Sequence, residues 1–203
     1  MYLSDFVRRL FPPLIIILVL PIVGCEGVGV VASSDPYVKL AQADDLLNHE
    51  GRVMQASRQL DEAIPIFEQK GDKAGLAKAY RLYGILARVG GTKDDPVILW
   101  LHRDEPIHPV AEELDNSDGY LKKALLLAKE TNQLYLVANI EFLLGNNEVL
   151  RGKPLLACPY YDRTITDFAE AKKAQPKTEL EAMPGVATPE QGFALAKKQA
   201  GCP

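Results

Sequence analysis

The stretch LDEAIPIFEQKGDKAGLAKAYRLYGILARVGG, residues 60–91, carries two apolar patterns of helical period with a glycine between them. The first pattern consists of Leu60, Ala63, Ile64 and Phe67. The second consists of Leu76, Tyr80, Tyr83 and Ala87. Spacings of three and four residues place each set on one side of a helix, and Gly71-Asp72 is typical of the turn between two helices. The stretch therefore predicts two helices that pack against each other through these sides.

The whole chain has the composition of one globular domain. Of its 203 residues, 47% are hydrophobic and 25% are charged, which excludes a disordered tail and a polytopic membrane protein. The formal charge is -4 and the pI is about 5.5. The chain as a whole therefore lacks the basic character of a nucleic-acid-binding protein.

Residues 1–24 have the pattern of a signal peptide. Arg8 and Arg9 precede an apolar stretch at residues 11–23. That stretch is too short to span a bilayer comfortably and has the length of a signal-peptide core. Residues 1–24 are therefore excluded from the predicted fold.

The end of this segment, Ile22-Val23-Gly24-Cys25, resembles the lipobox of bacterial lipoproteins. The resemblance implies cleavage before Cys25 and lipidation of that cysteine. Glu26 stands where the family's sorting rule places aspartate for inner-membrane retention, so the resemblance implies the periplasmic face of a Gram-negative outer membrane. The alternatives are an ordinary signal peptide and an uncleaved anchor. Residues 25–34 then form the lipidated cysteine and a tether, and residues 35–203 form the folded domain.

Two cysteines, Cys158 and Cys202, remain if Cys25 carries lipid. An even pair in the oxidising periplasm predicts a disulfide. With 43 residues between them, the crosslink would stabilise the fold by roughly 4 kcal/mol, through the lost entropy of the unfolded chain. The alternative is two reduced thiols, one of them buried.

The remaining helices are predicted from the same periodicity. Asp35-Pro36 has the form of a helix start, and a first helix is expected from there towards Ser57. Residues 92–117 lose the period and contain seven acidic and two basic residues, so an insertion is predicted there. Helical period returns over residues 120–151, with a turn at Thr131-Asn132, and over residues 155–174 and 189–200.

The helical segments align as a repeat when Gly51, Gly84 and Gly145 are superposed. A small residue then recurs in the second helix of each unit, at Ala63, Ala124 and Ala157. Four positions later come Phe67, Ala128 and Tyr161. This pattern resembles the tetratricopeptide repeat, which has glycine, alanine and an aromatic residue at these places. The resemblance covers residues 35–174 and implies an all-α array of antiparallel helix hairpins, with about three repeats and a C-terminal capping helix. The alternative is a different array of helical hairpins.

Basic residues share one side of the helix that contains Tyr80. At about 100° per residue, Lys78, Arg81 and Arg88 fall within roughly 80° of one another and away from the apolar side. In tetratricopeptide arrays the first helix of each repeat lines a concave groove. The resemblance places five further residues there: Asn48, Arg52, Asn139, Phe142 and Asn146. It implies a groove whose cationic and amide donors hold the carboxylate of an extended acidic or C-terminal peptide. The alternative is a solvated charged surface.

The sequence contains no motif of a catalytic or cofactor site, so neither a catalytic residue nor a cofactor is predicted. It predicts a non-catalytic, lipid-anchored scaffold that binds a protein or peptide, and similar lipoproteins act as assembly factors for envelope machines. The acidic insertion at 92–117 is expected to compete for the groove. The alternative is a metal-binding or hydrolytic protein that uses four side chains of the insertion, His102, Asp104, Glu105 and His108. Their spacing matches no recognised metal site, so none is predicted.

Overall fold

The computed structural model describes residues 30–88, 111–176 and 185–203. Over these ranges the chain is helical and has no strand, which confirms the predicted all-α fold. Seven helices are described: α1 Pro36–Asn48, α2 Val53–Lys70, α3 Lys73–Arg88, α4 Ala111–Glu130, α5 Leu134–Leu150, α6 Pro154–Ala174 and α7 Pro189–Gln199. The predicted signal peptide and Cys25 lie outside the described residues.

Consecutive helices pair as hairpins. Helix α2 packs on α1, α4 on α3 and α6 on α5, and α7 packs on α6. The first helices of the three hairpins also contact one another, α1 with α3 and α3 with α5. The predicted array of helix hairpins is therefore confirmed, and α1, α3 and α5 lie side by side.

Gly71 makes the predicted turn between α2 and α3. Its φ of 63° lies in the left-handed region that favours glycine. The amide of Asp72 donates to the carbonyl of Phe67 at 2.9 Å, which closes the end of α2. The carboxylate of Asp72 accepts from the amide of Gly75 at 2.9 Å, which caps the start of α3. Gly71 and Asp72 thus end one helix and begin the next.

The first helix is shorter than the sequence pattern predicts. It ends at Asn48 rather than near Ser57, and Ser57 belongs to α2. Gly51 adopts a φ of 65° in the turn between α1 and α2, a conformation that interrupts a right-handed helix. This glycine is therefore a turn residue and has no equivalent in Gly84, which lies inside α3.

Helix α4 begins at Ala111, so the predicted insertion at 92–117 is too long at its C-terminal end. Leu114, Ser117 and Leu121 are buried at helical spacing. The acidic residues between them hide this period in the sequence. The first two turns of α4 therefore belong to the second hairpin.

Helix contacts define which residues are equivalent in the second and third hairpins. A Cβ atom added to Gly84 would lie 2.6 Å from the Leu121 side chain. One added to Gly145 would lie 2.7 Å from the ring of Tyr161. Leu121 in α4 and Tyr161 in α6 therefore occupy the same place, each against a glycine of the first helix.

This contact changes the predicted alignment of the third unit. Ala124 follows Leu121 by three residues, as Thr164 follows Tyr161. Ala124 and Thr164 are both fully buried, at 0% exposure. The structure therefore matches Ala124 with Thr164, and not with Ala157 as the sequence pattern predicts. The difference is seven residues, or two helical turns, because Tyr161 is the α6 side chain that lies against the glycine of α5.

Helix α7 packs on the third hairpin, at the place where the sequence predicts a cap, and runs antiparallel to α6. Near its start Glu190 pairs with Lys172 at 2.5 Å. Near its end Lys197 pairs with Asp162 at 2.7 Å. Glu190 comes before Lys197 in α7, whereas their partners come in the reverse order in α6, Lys172 after Asp162. The two helices therefore run in opposite directions.

Apolar contacts and a disulfide also hold α7 in place. The rings of Phe193 and Phe168 meet edge to face with their centres 5.2 Å apart. Just after α7, Cys202 joins Cys158 of α6 in the predicted disulfide, with Cα atoms 5.5 Å apart. Ala200 and Tyr161 pack beside this bond. The end of the described chain is therefore fastened to α6 by covalent and apolar contacts.

Replacing Gly84 by alanine is expected to destabilise the fold. The new methyl group would lie 2.6 Å from Leu121 and 3.3 Å from the carbonyl oxygen of Ser117, so α3 and α4 would have to separate. Overpacking of this kind costs roughly 1–3 kcal/mol, against a gain of up to about 1 kcal/mol in helix propensity. Urea denaturation measures the change in the free energy of unfolding.

Gly119→Ala is the matched control for this substitution. Gly119 also lies inside a helix, but a methyl group there meets nothing within 4 Å. The control is expected to raise the free energy of unfolding by up to about 1 kcal/mol. Equal effects of the two substitutions would contradict the close contact between α3 and α4.

Candidate peptide-binding groove

The first helices of the three hairpins border a groove of about 400 Å³. This first-helix groove is lined by Tyr37, Leu40, Ala41 and Asp44 of α1, by Lys78, Arg81 and Leu82 of α3, and by Leu136 of α5. Half of these side chains are aliphatic and the others carry polar groups. Such a mixture suits a peptide segment, which brings apolar side chains together with hydrogen-bonding backbone groups.

Arg81 connects three helices across the groove. Its Nη2 donates to Oδ1 of Asp44 in α1 at 2.5 Å, and its Nη1 donates to Oδ1 of Asn139 in α5 at 3.2 Å. Asn48, at the end of α1, donates to the same Asp44 oxygen at 3.1 Å. The planar guanidinium has several donors and can therefore serve both partners at once. The predicted residues Asn48, Arg81 and Asn139 thus come together in one network.

The ion pair with Asp44 reduces the positive charge that the sequence pattern predicts for this groove. Lys78, by contrast, is exposed, and among the described residues it has no ion pair. Its Nζ lies 5.9 Å from the centre of the Tyr37 ring, within range of a cation–π attraction. Lys78 is therefore the accessible cation of the groove.

A hydrogen bond between Tyr37 and Asp72 closes one end of the groove. The Tyr37 hydroxyl donates to Oδ2 of Asp72 at 2.6 Å, while the Gly75 amide donates to Oδ1. These two bonds lower the pKa of Asp72, first through the Tyr37 hydroxyl and then through the Gly75 amide. The same bond to an anionic acceptor raises the pKa of Tyr37 to about 12. Asp72 therefore has two roles, as the cap of α3 and as the partner of a groove residue.

Arg88 and Arg52 lie outside the groove lining. Arg88 is half-buried in the last turn of α3, and burial lowers the pKa of its guanidinium below the ordinary value. Arg52 lies in the turn between α1 and α2, where its Nη1 donates to Glu50 at 2.8 Å. The predicted place of Arg52 on a first helix is wrong, because α1 ends at Asn48.

Phe142 and Asn146 make contacts inside the third hairpin and its cap. The Phe142 ring lies 5.2 Å from that of Phe193 and 5.6 Å from that of Tyr161. Asn146 accepts a hydrogen bond from the Tyr161 hydroxyl at 2.8 Å. The structure therefore does not place these two residues in the groove with Arg81. On this side of α5, Phe193 of α7 lies against Phe142.

The sequence pattern does not identify Tyr37, Asp44 and Leu136 as groove residues. A signal for two of them exists, since Tyr37 and Asp44 are seven residues apart and so share one side of α1. That side becomes meaningful only once α1 is known to face α3. Leu136 reads as an ordinary core residue, because its aliphatic side chain fits the apolar period of α5.

Residues 30–88, 111–176 and 185–203 contain neither a candidate metal site nor a membrane-spanning helix. No set of three His, Cys, Asp or Glu side chains there could hold a metal ion. No helix there combines the length and apolar character needed to cross a membrane. The side chains considered for the alternative metal function, His102 to His108, lie outside the described residues.

Comparison with protein-family models, with curated proteins and with solved structures finds no match to this chain. The helix-hairpin architecture therefore stands on the packing described above. The resemblance to tetratricopeptide repeats stays a prediction.

Tyr37 is expected to ionise near pH 12 in the folded chain, compared with 10.0 for an ordinary tyrosine. Asp72→Asn removes the anionic acceptor and is expected to lower the pKa of Tyr37 towards the ordinary value. Because the folded-state pKa is raised, the bond stabilises the fold fully below about pH 10, and this stabilisation disappears as the pH rises to about 12. Ultraviolet absorbance titration measures tyrosine ionisation, and the difference between the wild type and Tyr37→Phe isolates this residue.

An identical Tyr37 midpoint in the wild type and in Asp72→Asn would contradict the bond. On the acid side, the lowered pKa of Asp72 gives the opposite dependence. Its contribution is present above the unfolded value of 3.8 and is lost as the pH falls through the folded value.

Proposed function

We propose that this protein is a non-catalytic, lipid-anchored scaffold that binds an extended peptide or protein segment in the first-helix groove. The observation that carries the proposal is the groove itself, which places a cation, hydrogen-bonding groups and aliphatic side chains along three adjacent helices. Binding needs no catalytic group. The proposed location is the periplasmic face of the outer membrane, with the anchor at Cys25.

The contacts around Arg81 support a rigid groove. Arg81 is held from α1 by Asp44 and from α5 by Asn139, so its side chain loses little further freedom when a ligand arrives. Ala41 and Leu136 offer apolar surface along the same line, whereas Leu40 and Leu82 are buried beneath it. An extended segment would bury its apolar side chains there and direct its polar groups to the sides.

Lys78 gives the groove its preference for acidic ligands. Its ammonium group is exposed and makes no ion pair with another described residue, whereas Arg81 is already neutralised by Asp44. Asp72 is its anionic neighbour, since the charge of Lys78 helps to lower the pKa of that carboxyl. A carboxylate of the ligand, either a side chain or a free C-terminus, would form a charge-assisted hydrogen bond with Lys78. The proposed partner is therefore a protein with an acidic or C-terminal segment, such as a component of an envelope assembly.

Lys78→Glu is expected to weaken the binding of acidic peptides at least about tenfold, because an attractive charge becomes repulsive. The probe is a pool of peptides of about ten residues, long enough to follow the three first helices, with free or amidated C-termini. Peptides retained by the wild-type protein are identified, and their affinities are measured by fluorescence anisotropy. Arg81 is left intact, since its loss would leave Asp44 without its ion-pair partner.

Lys153→Glu is the control for this charge reversal. Lys153 is exposed at the start of α6, away from the groove lining. Its replacement by glutamate changes the net charge of the protein by the same amount as Lys78→Glu. It is expected to leave peptide affinity unchanged. If Lys78→Glu and Lys153→Glu bind the retained peptides equally well, the groove is not their site.

Cys25→Ser is expected to release the protein from membranes. Serine cannot carry the thioether-linked lipid, so the variant should appear in the soluble fraction of lysed cells. Cell fractionation followed by a high-salt wash of the membranes measures the distribution. A variant that stays bound after the wash would place the anchor elsewhere.

A further inference from the structure

A second opening, here called the α6–α7 cleft, has a volume of about 370 Å³. Its apolar lining consists of Ile165, Phe168 and Ala169 of α6 and of Phe193 and Ala194 of α7. Ile165 is 40% exposed, and both alanines are exposed. The two alanines leave room for a third element to approach the two helices closely.

Elsewhere in the fold a first helix packs on the second helix before it and then on the second helix of its own hairpin. Helix α3 packs on α2 and then receives α4, and α5 packs on α4 and then receives α6. Helix α7 packs on α6 as the next first helix would. Among residues 30–88, 111–176 and 185–203, however, no second helix is received by α7. Among the described residues α7 therefore lacks the second helix that α3 and α5 each contact, which favours a helix as the occupant of the cleft.

The charges at the edge of the cleft favour an acidic helix. Lys172, Lys173 and Glu190 complete its lining. Lys172 and Glu190 pair with each other at 2.5 Å. Lys173 is exposed and has no ion pair with any other described residue. Within the described residues the cleft edge thus keeps one positive charge without an ion-pair partner, beside an apolar surface.

We propose that the α6–α7 cleft binds an amphipathic helix of a partner protein. Apolar residues of that helix, spaced at i, i+3 or i+4 and i+7, enter the cleft, and an acidic residue beside them pairs with Lys173. This site shares no lining residue with the first-helix groove, so it goes beyond the function proposed above.

The test uses the full chain and a labelled helical peptide of about 18 residues, or five turns, with leucines at those spacings and glutamates at their flanks. A second peptide has lysines in place of the glutamates. Fluorescence anisotropy measures both affinities. The wild-type chain is expected to bind the acidic peptide about threefold to fivefold more tightly than the basic one, the size of one exposed ion pair. Lys173→Glu is expected to reverse this order.

Ala194→Trp tests the position of the helix, because the indole would fill the cleft. The substitution is expected to weaken the binding of the acidic peptide at least about tenfold. Leu126→Trp is the control, since Leu126 is 61% exposed on α4 and lies away from the cleft. Circular dichroism checks that both variants stay helical.

Three results would overturn the proposal. The first is an affinity for the acidic peptide that Ala194→Trp leaves unchanged. The second is a preference between the two peptides that Lys173→Glu leaves unchanged. The third is a dimer of the wild-type chain, detected by sedimentation, that Ala194→Trp dissociates, since the occupant would then be a second copy of this chain. Loss of peptide binding in Lys78→Glu would assign the peptide to the first-helix groove, so failures at the two sites are distinguishable.

Discussion

At three contacts between described helices, α2 with α3, α3 with α4 and α5 with α6, a large side chain of one helix enters a notch that glycine leaves in the other. Phe67 sits against Gly75 and Leu121 against Gly84, and a Cβ atom at either glycine would overlap the facing side chain. The entering side chains are almost completely buried, at 0% for Phe67 and 1% for Leu121. Close packing of this kind sets the distance between helices. Because the hairpins are spaced in this way, α1, α3 and α5 lie near enough to share a groove.

Charged side chains then fix how the packed helices are positioned. Glu141 of α5 has a side chain that is 3% exposed, and it accepts from Nε of Arg163 in α6 at 2.9 Å. Lys129 of α4 lies 3.6 Å from its other oxygen. Arg81 connects α1, α3 and α5 in a similar way. A buried charge left without its partner is costly, so these ion pairs hold the helices that they connect in one relative position. They give the groove a defined shape before any ligand is present.

The sequence predicts much of the fold but only part of the groove. Helical period and the Gly71 turn identify α3 and the part of α2 from Leu60 onward correctly, because both signals are local. Lys78 and Arg81 are found for the same reason, since they share one side of a single helix. The resemblance places Phe142 on the same surface, yet its ring packs against Tyr161 of α6 and Phe193 of α7. Which neighbour covers a side of a helix depends on residues far away in the chain.

By itself the sequence determined the all-α class and the turn at Gly71, which follow from patterns within one or two helices. It predicted the pairing of Cys158 with Cys202 on the expectation that Cys25 carries lipid. Only the tertiary structure decided that Asp44 neutralises Arg81 and that the notch of Gly145 receives Tyr161. The physical reason is that helical period states which side of a helix is apolar but not which residue of another helix lies opposite. That choice is made when all the helices pack together.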